Sequence, residues 1–390
     1  MPRTRKEKVN DHAMNASTLP PRPSLQSRPY DRIAVIGGGA WGTALASVAA
    51  TAGREVSLYA RRTAVTDAIN ATHRNDAYLP DVALPPQLCA TADLQVALAG
   101  ADAVMLAVPS RAIRSMAAQV AKFIAPGLPV AICTKGIEPA TGLLMTQVVE
   151  QEIGNARFGA ISGPTFARET ALGHPTAATV AFPFTYADRL NPHESAAARF
   201  AISLSSAAFQ TYISDDLVGV EIGGAVKNVI AIACGMMTGA GFAENTRAVL
   251  ITRGMAEMKA LAEALGGSRE TVTGLSGAGD LTLTCSSVTS RNMSLGLQLG
   301  QGIPRANCFN GRAVVVEGEV NAVSVTDLAR RVGVSMPICE TVNAILNGNL
   351  DLKAGFHTLW TRPIEGEPKA LEILLANPVH IAATQGIQKL

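Results

Sequence analysis

Residues 37–42 read GGGAWG, and the chain on either side of them changes character. Before them, RIAVI (residues 32–36) is a short apolar run, the pattern of a buried strand. After them, TALASVAATA (residues 43–52) is alanine-rich and free of proline, the pattern of a helix. A Gly37-x-Gly39-x-x-Gly42 loop between such a strand and such a helix is a dinucleotide fingerprint. The glycines permit a tight turn and close approach to a pyrophosphate, whose charge meets the helix N-terminus. Alone, the triplet recurs by chance; its setting gives it meaning. The stretch Ile33–Gly53 is uncharged and long enough to cross a bilayer, but its five glycines suit a loop better than a lipid-facing helix. No membrane span is expected.

Strand-like runs then alternate with helical ones. EVSLYA (55–60) reads as a second strand, and further strands are expected at 103–108, 129–134, 157–162, 176–182 and 208–213, with a helix from 111 to about 124. This alternation predicts an α/β fold of the Rossmann type, a doubly wound parallel sheet covered on both faces. Beyond residue 215 the period changes. Leu217, Val218, Glu221, Ala225, Val229, Ile232, Ala233 and Met236 recur at helical spacing. A second long helix is expected over 245–265, capped by Asn245 and stopped by Gly266–Gly267, with further helices at 320–332 and 338–346. The expected organisation is a disordered basic tail (1–29), a dinucleotide-binding domain (30–214), an all-helical C-terminal domain (215–367) and an extension of unassigned role (368–390).

Charge narrows the partners. The 390 residues hold 33 Lys/Arg and 31 Asp/Glu, and residues 1–30 alone hold six basic and two acidic ones. The rest is nearly neutral, which excludes a nucleic-acid binder working through a general basic field. The tail lacks an apolar core segment, so it is no secretory signal. Six cysteines (Cys89, Cys133, Cys234, Cys285, Cys308, Cys339) form no C-x-x-C pair and read as small buried hydrophobes of a reducing, cytoplasmic compartment. Six dispersed histidines give no metal-ligating spacing, and no metal is expected.

Several residues suggest chemistry. An NAD-type fold carries Asp or Glu at the end of its second strand to bind the ribose 2′-hydroxyl. That place holds Arg61 and Arg62, which would attract a 2′-phosphate and so favour NADP over NAD, unless both merely solvate a loop. Lys227 lies inside an apolar helix, GVEIGGAVKNVIAIACG, where burial lowers a lysine pKa toward the range of a useful acid/base, unless it snorkels to water. Gly223 and Gly224, one turn earlier, are expected to leave room for a ligand. GLSGAGDLTLTC brings Asp280 after a glycine-rich loop whose amides could face an anion. Ser290, Arg291 and Asn292 offer a guanidinium fork with two polar neighbours. Lys135 follows a strand at the sheet edge where doubly wound folds bind ligands.

Taken together, GGGAWGTALA, LAVPS, CTKGIE, SGPTFARE, GVEIGGAVKNVIAIACG, NTRAVLITRGMAEM, GLSGAGDLTLTCSSVTSRN and VVEG resemble the bacterial-type NAD(P)-dependent glycerol-3-phosphate dehydrogenases, in family order from about residue 32 to 345. The resemblance implies reversible hydride transfer between a nicotinamide and C2 of dihydroxyacetone phosphate or sn-glycerol 3-phosphate, feeding glycerophospholipid synthesis, in a homodimer. It implies Lys227 as acid/base on the C2 oxygen, Lys135 polarising or positioning the same end of the substrate, and Asp280 orienting Lys227 or binding a hydroxyl. Gly163, Thr165, Ser290, Arg291 and Asn292 would hold substrate. Ala40, Trp41, Lys135, Ala167, Arg291, Val315 and Glu317 would touch the cofactor beside Gly37, Gly39 and Gly42. Two other readings stay open: a two-domain dehydrogenase of a β-hydroxyacid or ketopantoate-like acid, and a dinucleotide-binding regulator without catalysis.

Overall fold

The computed structural model describes residues 26–367 and 371–379; the tail expected to be disordered lies almost wholly outside the described residues. Eight strands form one sheet. From one edge to the other they are Phe209–Ser214, Thr176–Ala181, Arg157–Ser162, Pro129–Ile132, Ala103–Leu106, Arg32–Ile36, Glu55–Tyr59 and Cys89–Thr91. The central strands read as continuous apolar runs because both sheet faces are covered. Ile33 and Val35 enter the core on one face with Leu45, Leu58 and Phe200, while Ala34 and Ile36 enter the other with Val104, Ile113 and Val148. Strand order reverses between Arg32–Ile36 and Ala103–Leu106, which makes the crevice at their C-terminal ends the switch point where such sheets bind ligands.

The Rossmann-type fold is present, with one departure from an all-parallel sheet. Arg157–Ser162 and Thr176–Ala181 pair antiparallel, Ser162 opposite Thr179 and Ala160 opposite Ala181. The segment between them holds only the helix Ala167–Ala171. That five-residue helix is short of the crossover helix that usually returns a chain for parallel pairing. A ribbon of Arg74–Asn75 with Leu79–Ala83 and the edge strand Cys89–Thr91 also form where no strand was expected.

From Leu217 to Trp360 the regular elements are all helical. The central helix, Leu217–Gly239, is buried at every residue from Gly219 to Met237. It is long and apolar enough to cross a membrane by composition, but 89% of that window is buried inside the protein. An all-round apolar helix of this kind is a core helix. Around it pack Glu244–Ala264, Arg291–Gly300, Glu317–Arg331 and Pro337–Asn347. Asn245 does not cap the second of these helices: the N-cap is Ala243, and Asn245 lies inside the first turn. Gly266 takes a φ of +85° just past that helix. Glu221 ties the central helix to the sheet domain by accepting from the Thr146 N–H (3.0 Å) and hydroxyl at the start of helix Met145–Ile153. Burial pushes its carboxyl up to about 7 against those hydrogen bonds. Five cysteines are buried as expected, whereas Cys89, on the edge strand, is exposed. Past the last helix, Ile364–Glu365 pairs antiparallel with Leu374–Leu375, and Arg253 holds Glu365 at 2.7 Å.

The central helix and Arg291–Gly300 approach through glycine. A Cβ on Gly235 would lie 2.2 Å from the Met293 carbonyl oxygen, and one on Gly296 would lie 2.1 Å from that of Ile232. Gly235→Ala is therefore expected to lower unfolding stability by about 1–3 kcal/mol through overpacking, read as a lower urea midpoint at unchanged slope. An unchanged midpoint would contradict this packing.

Candidate active site

Three charged side chains meet between the sheet and the central helix. Lys227 is 7% exposed. Its Nζ donates to Asp280 Oδ1 at 2.6 Å and to Thr284 Oγ1 at 2.9 Å. The other Asp280 oxygen, Oδ2, accepts from Lys135 Nζ at 2.5 Å. Lys135 comes from the loop after strand Pro129–Ile132, and Asp280 opens the helix Asp280–Ser286. One buried carboxylate thus joins a lysine of the sheet domain to a lysine of the helical domain.

Burial pushes the Lys227 ammonium down to about 8, opposed by the Asp280 charge and assisted by that of Lys135. Burial alone would raise the Asp280 carboxyl; the two lysine charges and their hydrogen bonds outweigh it and hold the group below the usual carboxylate range. The cluster carries a net single positive charge when all three groups are ionised. An ammonium has three N–H donors, and two on Lys227 are engaged, so one remains for a further acceptor.

The glycine loop lies at the switch point. Gly37 has φ +130°, and a Cβ there would sit 2.5 Å from the Ala107 carbonyl oxygen; one on Gly42 would sit 1.8 Å from the Gly37 carbonyl oxygen. Only glycine fits either place. Helix Ala40–Thr51 begins with no side-chain cap and no acidic residue in its first turn. The amides of Gly38, Gly39, Ala40, Trp41 and Gly42 donate to no acceptor among the described residues. Five free N–H groups at a helix N-terminus fit a diphosphate. A Cβ on Gly39 would meet nothing within 4 Å, so the loop face is open there.

The remaining residues singled out above fall around this cleft in different ways. Arg61 and Arg62 follow the second strand and are exposed, with the Arg62 guanidinium 5.1 Å from the centre of the Tyr78 ring. Glu317 begins helix Glu317–Arg331 and accepts from Ser110 Oγ at 2.6 Å, across from the sheet domain. Val315, on the segment before it, is exposed. Gly163 offers its carbonyl to Lys135 (3.5 Å) and to the Thr165 hydroxyl (3.2 Å). Ala167 starts the short helix that packs on Ala40–Thr51. Ser290 spends its oxygen as the N-cap of Arg291–Gly300, accepting from the Met293 N–H. Arg291 is exposed, whereas Asn292 is buried, donating to Asn228 Oδ1 (2.9 Å) and accepting from the Gly318 N–H (2.9 Å). Asn228 adjoins Lys227, so that bond ties the start of Arg291–Gly300 to the central helix.

One expectation changes. Gly223 and Gly224 leave no room for a ligand. A Cβ on Gly223 would lie 2.7 Å from the Ser276 carbonyl oxygen, and one on Gly224 would lie 3.1 Å from Lys135 Cγ. The glycine-rich loop before Asp280 is tightly turned: Leu275–Gly279 is a π-helical turn, and Gly277 presses on Val272 so closely that a Cβ would lie 2.0 Å from its carbonyl oxygen. Thr284, Ser110 and Tyr78 were not anticipated. Thr284 had a signal, being four residues after Asp280 on one helix face; the other two had none.

The fold and this cleft together describe the two-domain nicotinamide-dependent oxidoreductases. Residues 32–186 match the family model "NAD-dependent glycerol-3-phosphate dehydrogenase N-terminus", and residues 216–357 match that of the C-terminus. The chain belongs to this family. It is 47% identical over 338 residues to a glycerol-3-phosphate dehydrogenase [NAD(P)+] of Rhodospirillum rubrum, covering 86% of this chain and 94% of that one. The protein of that name from Maricaulis maris is 46% identical, with 86% and 97% covered. The crystal structure of glycerol-3-phosphate dehydrogenase from Coxiella burnetii is 35% identical with a TM-score of 0.78, covering 85% of this chain and 99% of that one.

Removing the carboxylate from between two lysines leaves buried charge unpaired. Asp280→Asn is expected to cost about 3–5 kcal/mol at pH 7. The loss should shrink above pH 8, where Lys227 goes neutral. Urea titrations at pH 7 and pH 9.5 check this, and an equal loss at both would contradict the pairing.

Proposed function

We propose that this chain catalyses the reversible, nicotinamide-dependent reduction of dihydroxyacetone phosphate to sn-glycerol 3-phosphate, with Lys227 as the acid/base. The observation that carries the reading is the Lys227–Asp280–Lys135 cluster: a half-neutralised pair of cations with donors to spare, whose Lys135 leaves the same end of the sheet as a loop of free amides. When bound, the reduced nicotinamide supplies a hydride to C2. Lys227 gives its proton to the C2 oxygen as negative charge develops there, ends as a neutral amine, and regains a proton from solvent. A pKa of about 8 suits both halves of that cycle near neutrality. Asp280 stays ionised throughout and holds Lys227 in place. Lys135 polarises the same oxygen and balances substrate charge, with Gly163 and Thr165 at its side and Ser290, Arg291 and Asn292 holding the phosphate end.

For the cofactor, Gly37, Gly39, Ala40, Trp41 and Gly42 would bind the diphosphate, with Lys135, Ala167, Arg291, Val315 and Glu317 completing the cleft. Arg61 and Arg62 would read a 2′-phosphate, favouring NADP. The reading extends to a cytoplasmic homodimer supplying glycerophospholipid synthesis. The family match weighs against a hydroxyacid or ketopantoate-like substrate. A regulator without catalysis has no use for a buried lysine–carboxylate–lysine cluster.

Lys227→Ala should retain dinucleotide binding while turnover falls by about 10²–10⁴-fold; near-normal turnover in the folded variant would end the assignment. The sign of the pH effect follows from which form works. Reduction needs the ammonium, so its kcat/KM should fall as pH rises through about 8. Oxidation needs the free amine, so its kcat/KM should fall as pH drops through about 8. Changing Arg61 and Arg62 together to alanine should weaken NADPH by about 10–100-fold, the worth of a charged hydrogen bond, with NADH little affected. Equal weakening of both cofactors would remove the case for NADP.

A further inference from the structure

The ribbon Arg74–Asn75/Leu79–Ala83 lies outside the main sheet, and nothing above gives it a task. At its start, Asn75 is 1% exposed. Its Nδ2 donates to the Gly38 carbonyl oxygen at 3.1 Å and to Thr43 Oγ1 at 2.8 Å. Those two acceptors bracket the free amides of Gly39 to Gly42, one just before them and one in the first turn of the helix.

We propose that Asn75 is a positioning residue for dinucleotide binding: it fixes the peptide between Gly38 and Gly39 so that the loop amides stay aimed at the diphosphate. The inference rests on the dinucleotide reading above. Gly37 and Gly38 are demanded here by space, since a Cβ on Gly37 would lie 2.5 Å from the Ala107 carbonyl oxygen and one on Gly38 would lie 2.4 Å from Ala60 Cβ. The same glycines leave the loop without side chains to restrain it, and glycine has the widest backbone freedom of any residue. In a trans peptide the carbonyl and the following N–H point in opposite directions. Drawing the Gly38 carbonyl inward onto a buried amide therefore turns the Gly39 N–H outward. The bond to Thr43 anchors that amide to the helix. Three residues on, Tyr78 donates its N–H to the Asn75 carbonyl (3.0 Å) and lies under the Arg62 guanidinium. One short ribbon thus braces the phosphate loop and the arginine pair together.

Dissociation constants of NADH and NADPH, measured by fluorescence titration without substrate, test this on the full chain. Asn75→Ala and Asn75→Asp should each weaken both cofactors by about 10–100-fold, the worth of a lost buried hydrogen-bond pair. At saturating cofactor, kcat should stay within about threefold, because Asn75 touches no reacting atom. Tyr78→Ala should instead weaken NADPH selectively. Should the Asn75 variants fail to fold, Thr43→Val removes one acceptor and should weaken both cofactors by about threefold, a partial loss of the same bonds. Wild-type protein that binds cofactor, beside folded variants with unchanged constants, overturns this inference alone. Wild-type protein that binds neither dinucleotide overturns it together with the reading on which it rests.

Discussion

The Asp280 carboxylate is the interaction on which the rest of the cleft depends. Each lysine it touches is supplied by a different part of the chain, 145 residues away for Lys135 and 53 for Lys227. Two ammonium groups placed this close would repel, and burial would strip each of its hydration. A shared counter-charge makes the arrangement tolerable and leaves the cluster short of full neutrality. The site therefore owes its cationic character to incomplete compensation. That also explains how a chain with a nearly neutral body can accommodate strongly anionic ligands: the charge is local and needs no basic surface.

Close backbone approach is the second constraint. Gly37 and Gly42 fold the glycine loop against the sheet, Gly235 and Gly296 bring the central helix against its neighbour, and Gly223 lets the π-helical turn lie on that same helix. In each place a methyl group would overlap backbone atoms that cannot swing aside. The low aromatic content fits this design, since glycine and alanine contacts replace large side chains in much of the core.

How much of this was legible in the sequence depended on how local the cause was. The strands Arg32–Ile36 and Arg157–Ser162 fall where the apolar runs put them, and the long helices lie within a few residues of their expected bounds. Lys227, Lys135 and Asp280 stood out one by one because a charge in an apolar helix, or after a strand at the ligand edge, is locally odd. Their meeting at one carboxylate is a tertiary fact with no local sign. The close packing of Gly277 on Val272 was hidden because a glycine needed for packing looks the same as one needed for a turn. Asn75 was invisible: an asparagine between polar residues reads as a turn, and only the fold brings it to Gly38. The antiparallel pairing was missed because alternation alone does not give direction.

That antiparallel pairing has a mechanical consequence. In a parallel sheet the corner beyond Ser162 would be a free loop, open to rearrangement. Here the start of Thr176–Ala181 runs alongside it, with the Thr176 hydroxyl donating to the Pro164 carbonyl at 2.9 Å and the backbone of Ala177 and Ala178 pressed against Gly163. The wall next to Lys135 is therefore a stiff bracket held from two sides. The segment leading to Glu317 is held by separate bonds: Ser110 donates to Glu317 from the sheet domain, Arg305 to the Val314 carbonyl, and the Gly318 N–H to Asn292.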